Sequence, residues 1–501
     1  MGLLSISIWL PIAFGALLLT LGSDQRAGVV RALALVGAVT SFLVTVPLVT
    51  GFSNSTSGMQ FVEKMPWIDR FNVNYHLGLD GLSLWFVPLT AFITIIVVIA
   101  AWEVITERVG QYMGAFLILS GLLVGVFCAL DGLLFYVFFE ATLIPMYLII
   151  GVWGGPRRVY AAFKFFLYTL LGSLLMLVAL VYLYFKSGGS FDILAWHRLP
   201  LPLSTQALLF FAFFAAFAVK VPMWPVHTWL PDAQSEGPPL AAVALGIKVG
   251  TYGLLVIAYP LFPTAALHPT TRLVLATLGV IAVLYGSLVA LAQPDFRRVI
   301  SYASIAHLGF VVLGISAFTP ESLNGAMLVM LNAGITTGGM FLALGFLKKR
   351  VGDDRFHALG GLARQMPMLG AVVVLFALAN AGLPGTNGFV GEFLVLIGSF
   401  SRFPMLVLCA TISVILAAAY LLWSVQRMLF GPSAETVGNV TDLTRSEAAV
   451  MGCFVVAIIG LGLAPSPVLN RMNESVTSLA NRVTLSSLLT PTAAVDAEVQ
   501  P

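Results

Sequence analysis

The stretch Phe217–Ala233 reads FAVKVPMWPVHTWLPDA, and its reading decides the fold. It begins as a membrane-spanning helix and then receives Lys220, His227 and three prolines. Proline removes an amide donor and clashes with the preceding turn, so the helix is expected to break at Val221-Pro222. Carbonyls freed at mid-membrane are tolerated only where protein buries them or water reaches them. The cation needs the same water, so break and charge belong together.

The rest of the chain fits a membrane setting. Of its 501 residues 59% are hydrophobic and 9% charged, against about 25% charged in a soluble domain. This is the composition of an all-α polytopic membrane protein. Crossing an apolar core takes about 20 residues. Suitable runs fall near 3–21, 28–51, 79–102, 112–130, 132–151, 160–186, 205–228, 237–259, 272–293, 299–317, 323–347, 366–400, 404–426 and 446–466, fourteen spans in all. Leu3–Leu21 lacks a basic leader and a small-x-small cleavage site, so it reads as a retained span. From Pro467 a polar tail is expected to hold a short amphipathic piece and to fray. The runs group as 1–111 (spans 1 to 3), 112–259 (spans 4 to 8), 260–430 (spans 9 to 13) and 431–501.

Several function classes are excluded. A net charge of +3, scattered along the chain, does not suit a nucleic-acid partner. Cys128, Cys409 and Cys453 stand singly in apolar runs, which suits structural roles. No CxxC, GxGxxG or Walker pattern stands in a suitable context, so no cofactor site is expected in this chain. His76, His197, His268 and His357 lie in loops without metal-ligand spacing. Asp131, Glu103 and Glu107 lie at span ends and are expected to be solvated. Loops after odd-numbered spans hold fifteen Lys and Arg, the opposite loops eight. The positive-inside rule then places both termini outside the cytoplasm.

Lys220 and Lys248 fall inside spans, as do Glu140 and Glu392. One charge at a helix centre costs about 2.5–3.5 kcal/mol on insertion scales. Four unrelieved charges would cost on the order of 10 kcal/mol, comparable to the stability of a whole domain. They must face one another or water. The 366–400 run repeats the opening device, with Asn380, Gly382, Pro384, Gly385 and Gly388 loosening the helix before Glu392. The breaks fall in spans seven and twelve. That odd offset reverses the chain direction, so two inverted five-helix repeats with ion sites at the breaks are expected. Glu140 and Lys220 could instead be a structural pair, although a buried pair often gains no net stability. Lys248 has no partner nearby in sequence, and a buried lysine loses its proton readily. His307, in SYASIAHLGF, could be a hydrogen-bonded core histidine, but Ser301, Tyr302 and Ser304 make its span unusually polar. Glu392 could be a helix-end contact. His227 could be merely interfacial.

With these residues in view, KVPMWPVHTWLPDA and its continuation QSEGPPLAAVALGIKVGTYGLL resemble the signature of the antiporter-like subunits of respiratory complex I. HLGLDGLSLWF near Asp80 and FFEATLIPMYLIIGVWG around Glu140 extend the resemblance across all spans. The superfamily includes subunits of multi-subunit cation/proton antiporters and membrane-bound hydrogenases. LPGTNGFVGEF, with Glu392 where other branches have lysine, is closest to the M-type (chain 4) branch. Only about 35 residues follow the last span, so the long lateral helix of the L type is not expected.

The resemblance implies a proton-translocating membrane subunit of NADH:quinone oxidoreductase. Glu140 and Lys220 would form the ion pair of the first half-channel, Lys248 the central lysine, His307 the bridge and Glu392 the terminal proton donor or acceptor. NADH, FMN, iron–sulfur clusters and quinone would belong to partner subunits. L-type and N-type chains would flank it in the bacterial inner membrane. Ala333, in LNAGITTGG, stands where the family usually has histidine, which puts the link from His307 to Glu392 in question. A subunit of a multi-subunit sodium/proton antiporter or of a membrane-bound hydrogenase is the alternative within the superfamily. A docking subunit leaves the in-membrane charges unexplained.

Overall fold

Inside a bilayer every backbone amide must be satisfied within the chain, which makes long apolar runs helical. The computed structural model describes residues 2–22, 24–245, 247–432 and 440–489, without the side chains of Leu21 and Glu103. It is a helical bundle. Among the described residues, twelve helical segments are long and apolar enough to cross a membrane. Two of the fourteen expected spans fall short of that measure. One is the shorter helix Phe86–Trp102; the other is split into Pro367–Asn380 and Asn387–Phe400.

The interruptions position the site. Leu203–Lys220 ends at the lysine, and helix resumes only at Trp229–Glu236. A carbonyl freed by the break is taken up by the indole of Trp229, which donates to Val219 O at 2.8 Å. In the next span, helix Pro239–Ala244 stops and Val249–Gly253 starts, leaving Lys248 on non-helical backbone. That interruption was not expected from the sequence. Two spans also carry a π turn, at Leu254–Ala258 and Ala333–Thr337, a feature frequent at functional sites.

Outside the spans three expectations need correction. The all-α reading missed a hairpin, in which strand Gln60–Ile68 pairs antiparallel with Val73–Leu79. Its available signal was the alternation Val73, Asn74, Tyr75, His76, Leu77. Glu63 of the hairpin caps the first helix, accepting from Leu4 N at 2.9 Å and Ser5 N at 3.2 Å. The C-terminal segment is neither short nor frayed over Ser466–Leu489, a 24-residue helix burying Val468, Met472, Val476, Leu479 and Val483; residues 490–501 lie outside the described residues. Asp131 is fully buried instead of solvated. It caps Gly132–Ala141 by accepting from Leu133 N and Leu134 N, and it also accepts from Asn74 N.

The loops separate into two faces, one richer in Lys and Arg than the other. On the basic face Arg297 donates to Ser235 O at 2.8 Å and Arg350 grips Glu447. On the other, Lys64 pairs with Asp192 at 2.9 Å, and Gly81 N donates to Ser475 Oγ.

Candidate functional site

Glu140 stands at the end of Gly132–Ala141, where Thr142 bends the chain into Leu143–Trp153. Lys220 reaches this bend from the end of its own helix. Its ammonium donates to Phe139 O at 2.7 Å and to Thr142 Oγ1 at 3.2 Å, and lies 3.5 Å from the centroid of the Phe139 ring. These groups flank Glu140 on both sides, yet no ion-pair contact within 4.0 Å joins lysine and carboxylate among the described residues. Among the described residues Glu140 Oε1 is buried without a partner. The expected ion pair is therefore open: two neutral oxygens and a ring face hold the cation beside the acid. Charge-bearing groups this close remain coupled, because protein interiors screen poorly.

Lys248 is 5% exposed. Among the described residues its ammonium has neither a hydrogen bond nor an ion pair. Its backbone is locked against the first site. A Cβ added to Gly250 would come within 2.7 Å of Val221 N, so only glycine allows the two interrupted helices to approach this closely. A cavity of about 500 Å³ runs from Thr142 and Lys220 to Ile247, Val249 and Gly250, bracketing Lys248.

The second cluster is closed. His307 lies on the uninterrupted helix Phe296–Ala317, and its Nδ1 meets Glu392 Oε1 at 2.7 Å. Their separation of 85 positions hid this contact from the sequence. The doubt raised at Ala333 does not arise on this link, because histidine and glutamate touch directly. Ala333 instead lines a cavity of about 280 Å³ with both of them and with Asn332, Thr336, Thr337 and Asn380. Among the described residues His307 Nε2 is buried without a partner. The turn that aims Glu392 requires Gly382 at φ +76, where a Cβ would also lie 3.3 Å from Glu392 Oε2.

Sequence reasoning missed Asn387. It donates to Asn332 Oδ1 at 3.1 Å, accepts from Thr336 Oγ1 at 2.9 Å and offers its carbonyl to Asn332 Nδ2 at 2.6 Å. Thr337 Oγ1 donates to Asn380 Oδ1 at 3.3 Å. These bonds clasp the π turn Ala333–Thr337 to the break in the next span. A polar residue immediately after Gly385-Thr386 was the one signal available.

His227 is also deeper than an interfacial residue: it is 3% exposed, packs edge-on against Tyr285, and neither ring nitrogen has a partner among the described residues.

Five ionisable side chains thus follow one another through the bundle: His307 and Glu392 touch and share one cavity, and Lys220 lines another. That arrangement can pass a proton. Residues 129–417, more than half of the chain, match the family model described as NADH:quinone oxidoreductase/Mrp antiporter, TM. The chain belongs to this family. Subunit M of the NADH-quinone oxidoreductase of Rhodobacter capsulatus is 44% identical to this member, over 95% of this chain and 96% of that one. Chain 4 of the NADH-ubiquinone oxidoreductase of Marchantia polymorpha is 40% identical, over 95% and 96%. A chain of respiratory complex I from Thermus thermophilus superposes with a TM-score of 0.88 at 34% identity, over 96% of this chain and 99% of that one. A chain of the Mrp complex from a Dietzia species superposes at 0.84 with 19% identity, which speaks for the family fold alone.

Proposed function

We propose that the chain is the M-type, proton-translocating membrane subunit of a respiratory NADH:quinone oxidoreductase. NADH oxidation, with FMN, iron–sulfur clusters and quinone, belongs to other subunits. L-type and N-type chains flank it in the bacterial cytoplasmic membrane, with both termini on the outer side. The observation that carries the reading is the pairing of an open site, Glu140 with Lys220, and a closed one, His307 with Glu392, on either side of an unpartnered buried lysine.

The physics of such a row is switching. One unit charge about 4 Å away, at an effective dielectric near 20, contributes roughly 4 kcal/mol. At 1.36 kcal/mol per decade that moves a protonation equilibrium about a thousandfold. Swinging Lys220 from Phe139 O and Thr142 Oγ1 onto Glu140 removes its field from Lys248, which then holds a proton. Swinging it back drives that proton towards His307 and Glu392. A sodium path would need converging oxygens, whereas this row offers two lysines and a histidine against two carboxylates.

The test uses the assembled complex in sealed vesicles. Glu140→Gln is expected to lower protons moved per electron, read from pH-dye quenching against NADH consumed. Full proton yield in that variant would overturn the reading.

A further inference from the structure

On the face away from the basic loops lies a cavity of about 670 Å³ that the five-residue row does not use. Its mouth is formed by the hairpin's flank and by the C-terminal helix, with Ser478 and the exposed Arg482. Its wall carries Asp80 and His197. All three side-chain hydrogen bonds to the Asp80 carboxylate, from Leu82 N, Ser83 N and Ser83 Oγ, fall on Oδ1. Oδ2 therefore has no donor among the described residues, although Asp80 is only 6% exposed. His197 Nε2 is likewise buried without a partner among them. Polar atoms left this way are normally satisfied by water.

The floor belongs to the span of Lys248. Tyr252 stands one turn beyond the lysine, its amide donating to Lys248 O and its hydroxyl to Phe127 O at 3.0 Å. Its ring packs at 4.9 Å on Phe127, which stacks at 4.8 Å on Phe86. Behind these rings the π turn continues, and Val256, within that turn, is only half-buried and lines the cavity.

We infer that this cavity is an aqueous vestibule giving the Lys248 span its own opening to the face away from the basic loops, with Tyr252 as the gate between lysine and water. When the tyrosine turns aside, a proton leaves the Lys248 ammonium for water, passes to the Asp80 carboxylate and is returned from it to water at the mouth. The vestibule is thus a second outlet for the Lys248 proton, beside its passage to His307 and Glu392. The release step rests on the function proposed above; the opening itself does not.

Silver ion, small and water-borne, probes the opening in sealed membranes of each orientation. Ser478→Cys at the mouth and Val256→Cys at the floor are compared with the parent chain, whose own cysteines set the background. The readout is loss of later dye labelling after denaturation. Both new cysteines are expected to react from the face away from the basic loops faster than from the other. A floor cysteine reached from neither face, or faster from the basic face, overturns the vestibule. In the assembled complex Asp80→Asn is expected to lower protons released per electron; an unchanged ratio overturns the release role. A particle that oxidises no NADH would sink the functional reading alone, and the silver result would still decide the opening.

Discussion

Lys248 and Glu392 show what a single side chain contributes. An unpartnered ammonium in a membrane interior is a burden, set at about 2.5–3.5 kcal/mol on insertion scales. Lys248→Met is therefore expected to leave the complex as heat-stable as the parent or more so, while proton yield collapses. Thermal inactivation and dye quenching on the same preparation check both halves of that statement. Gly382→Ala should act the other way. Its φ of +76 costs an L residue about 1–2 kcal/mol, and the new methyl group presses on Glu392 Oε2. A lower unfolding temperature together with reduced proton yield is expected. At this scale the sequence revealed residue types well and contacts poorly. Charge in an apolar run singled out Glu140, Lys220, Lys248 and Glu392. That His307 touches Glu392, or that Lys220 rests on Phe139 O and not on the carboxylate, depends on helices distant in sequence.

At the scale of elements, legibility followed the prolines and glycines. Pro222 and Pro225 announced one interruption, and Gly382, Pro384 and Gly385 the other. The interruption at Lys248 has no proline to mark it and is maintained by packing against Lys220. The Ser466–Leu489 helix was underestimated because its apolar face is sparse; its order comes from tertiary contact, including Ser475 with Gly81. The clasp at Asn387 is a further element-level feature. Asn387→Ala leaves Asn332 Oδ1 and Thr336 Oγ1 without their buried side-chain partner, a loss of about 1–3 kcal/mol. Hydrogen exchange should accelerate across 381–388 and 333–337 while remaining unchanged at 132–153.

The same scale yields a pH dependence. Burial, reinforced by the nearby Arg482 charge, pushes the His197 imidazole down from 6.5 to about 3. Its neutral form is the one the fold accepts, so the associated stability is complete above about pH 6.5. It is lost as pH falls towards 3, because the unfolded chain takes up the proton first. Between pH 6.5 and 5 the loss amounts to at most about 2 kcal/mol. Exchange at 193–199, corrected for intrinsic rate, should rise on acidification, and His197→Gln should flatten that response.

Across the whole molecule the two halves repeat one plan with the signs exchanged. In each, a broken span presents its charge to a residue two spans earlier: Lys220 to the bend at Glu140, Glu392 to His307. The sequence supported this plan through the matching breaks and could not show that one pair is open and the other shut.

The helix bearing His307 has a mechanical consequence. Phe296–Ala317 is uninterrupted and buried at every residue except Arg298 and Tyr302, whereas Glu392 follows a glycine turn. A contact between such partners has one fixed pole and one moving pole. Opening it displaces the glutamate and leaves the imidazole where it is. The stroke length is then governed by the 381–386 turn, so stiffening that turn should slow the cycle without altering where the proton waits.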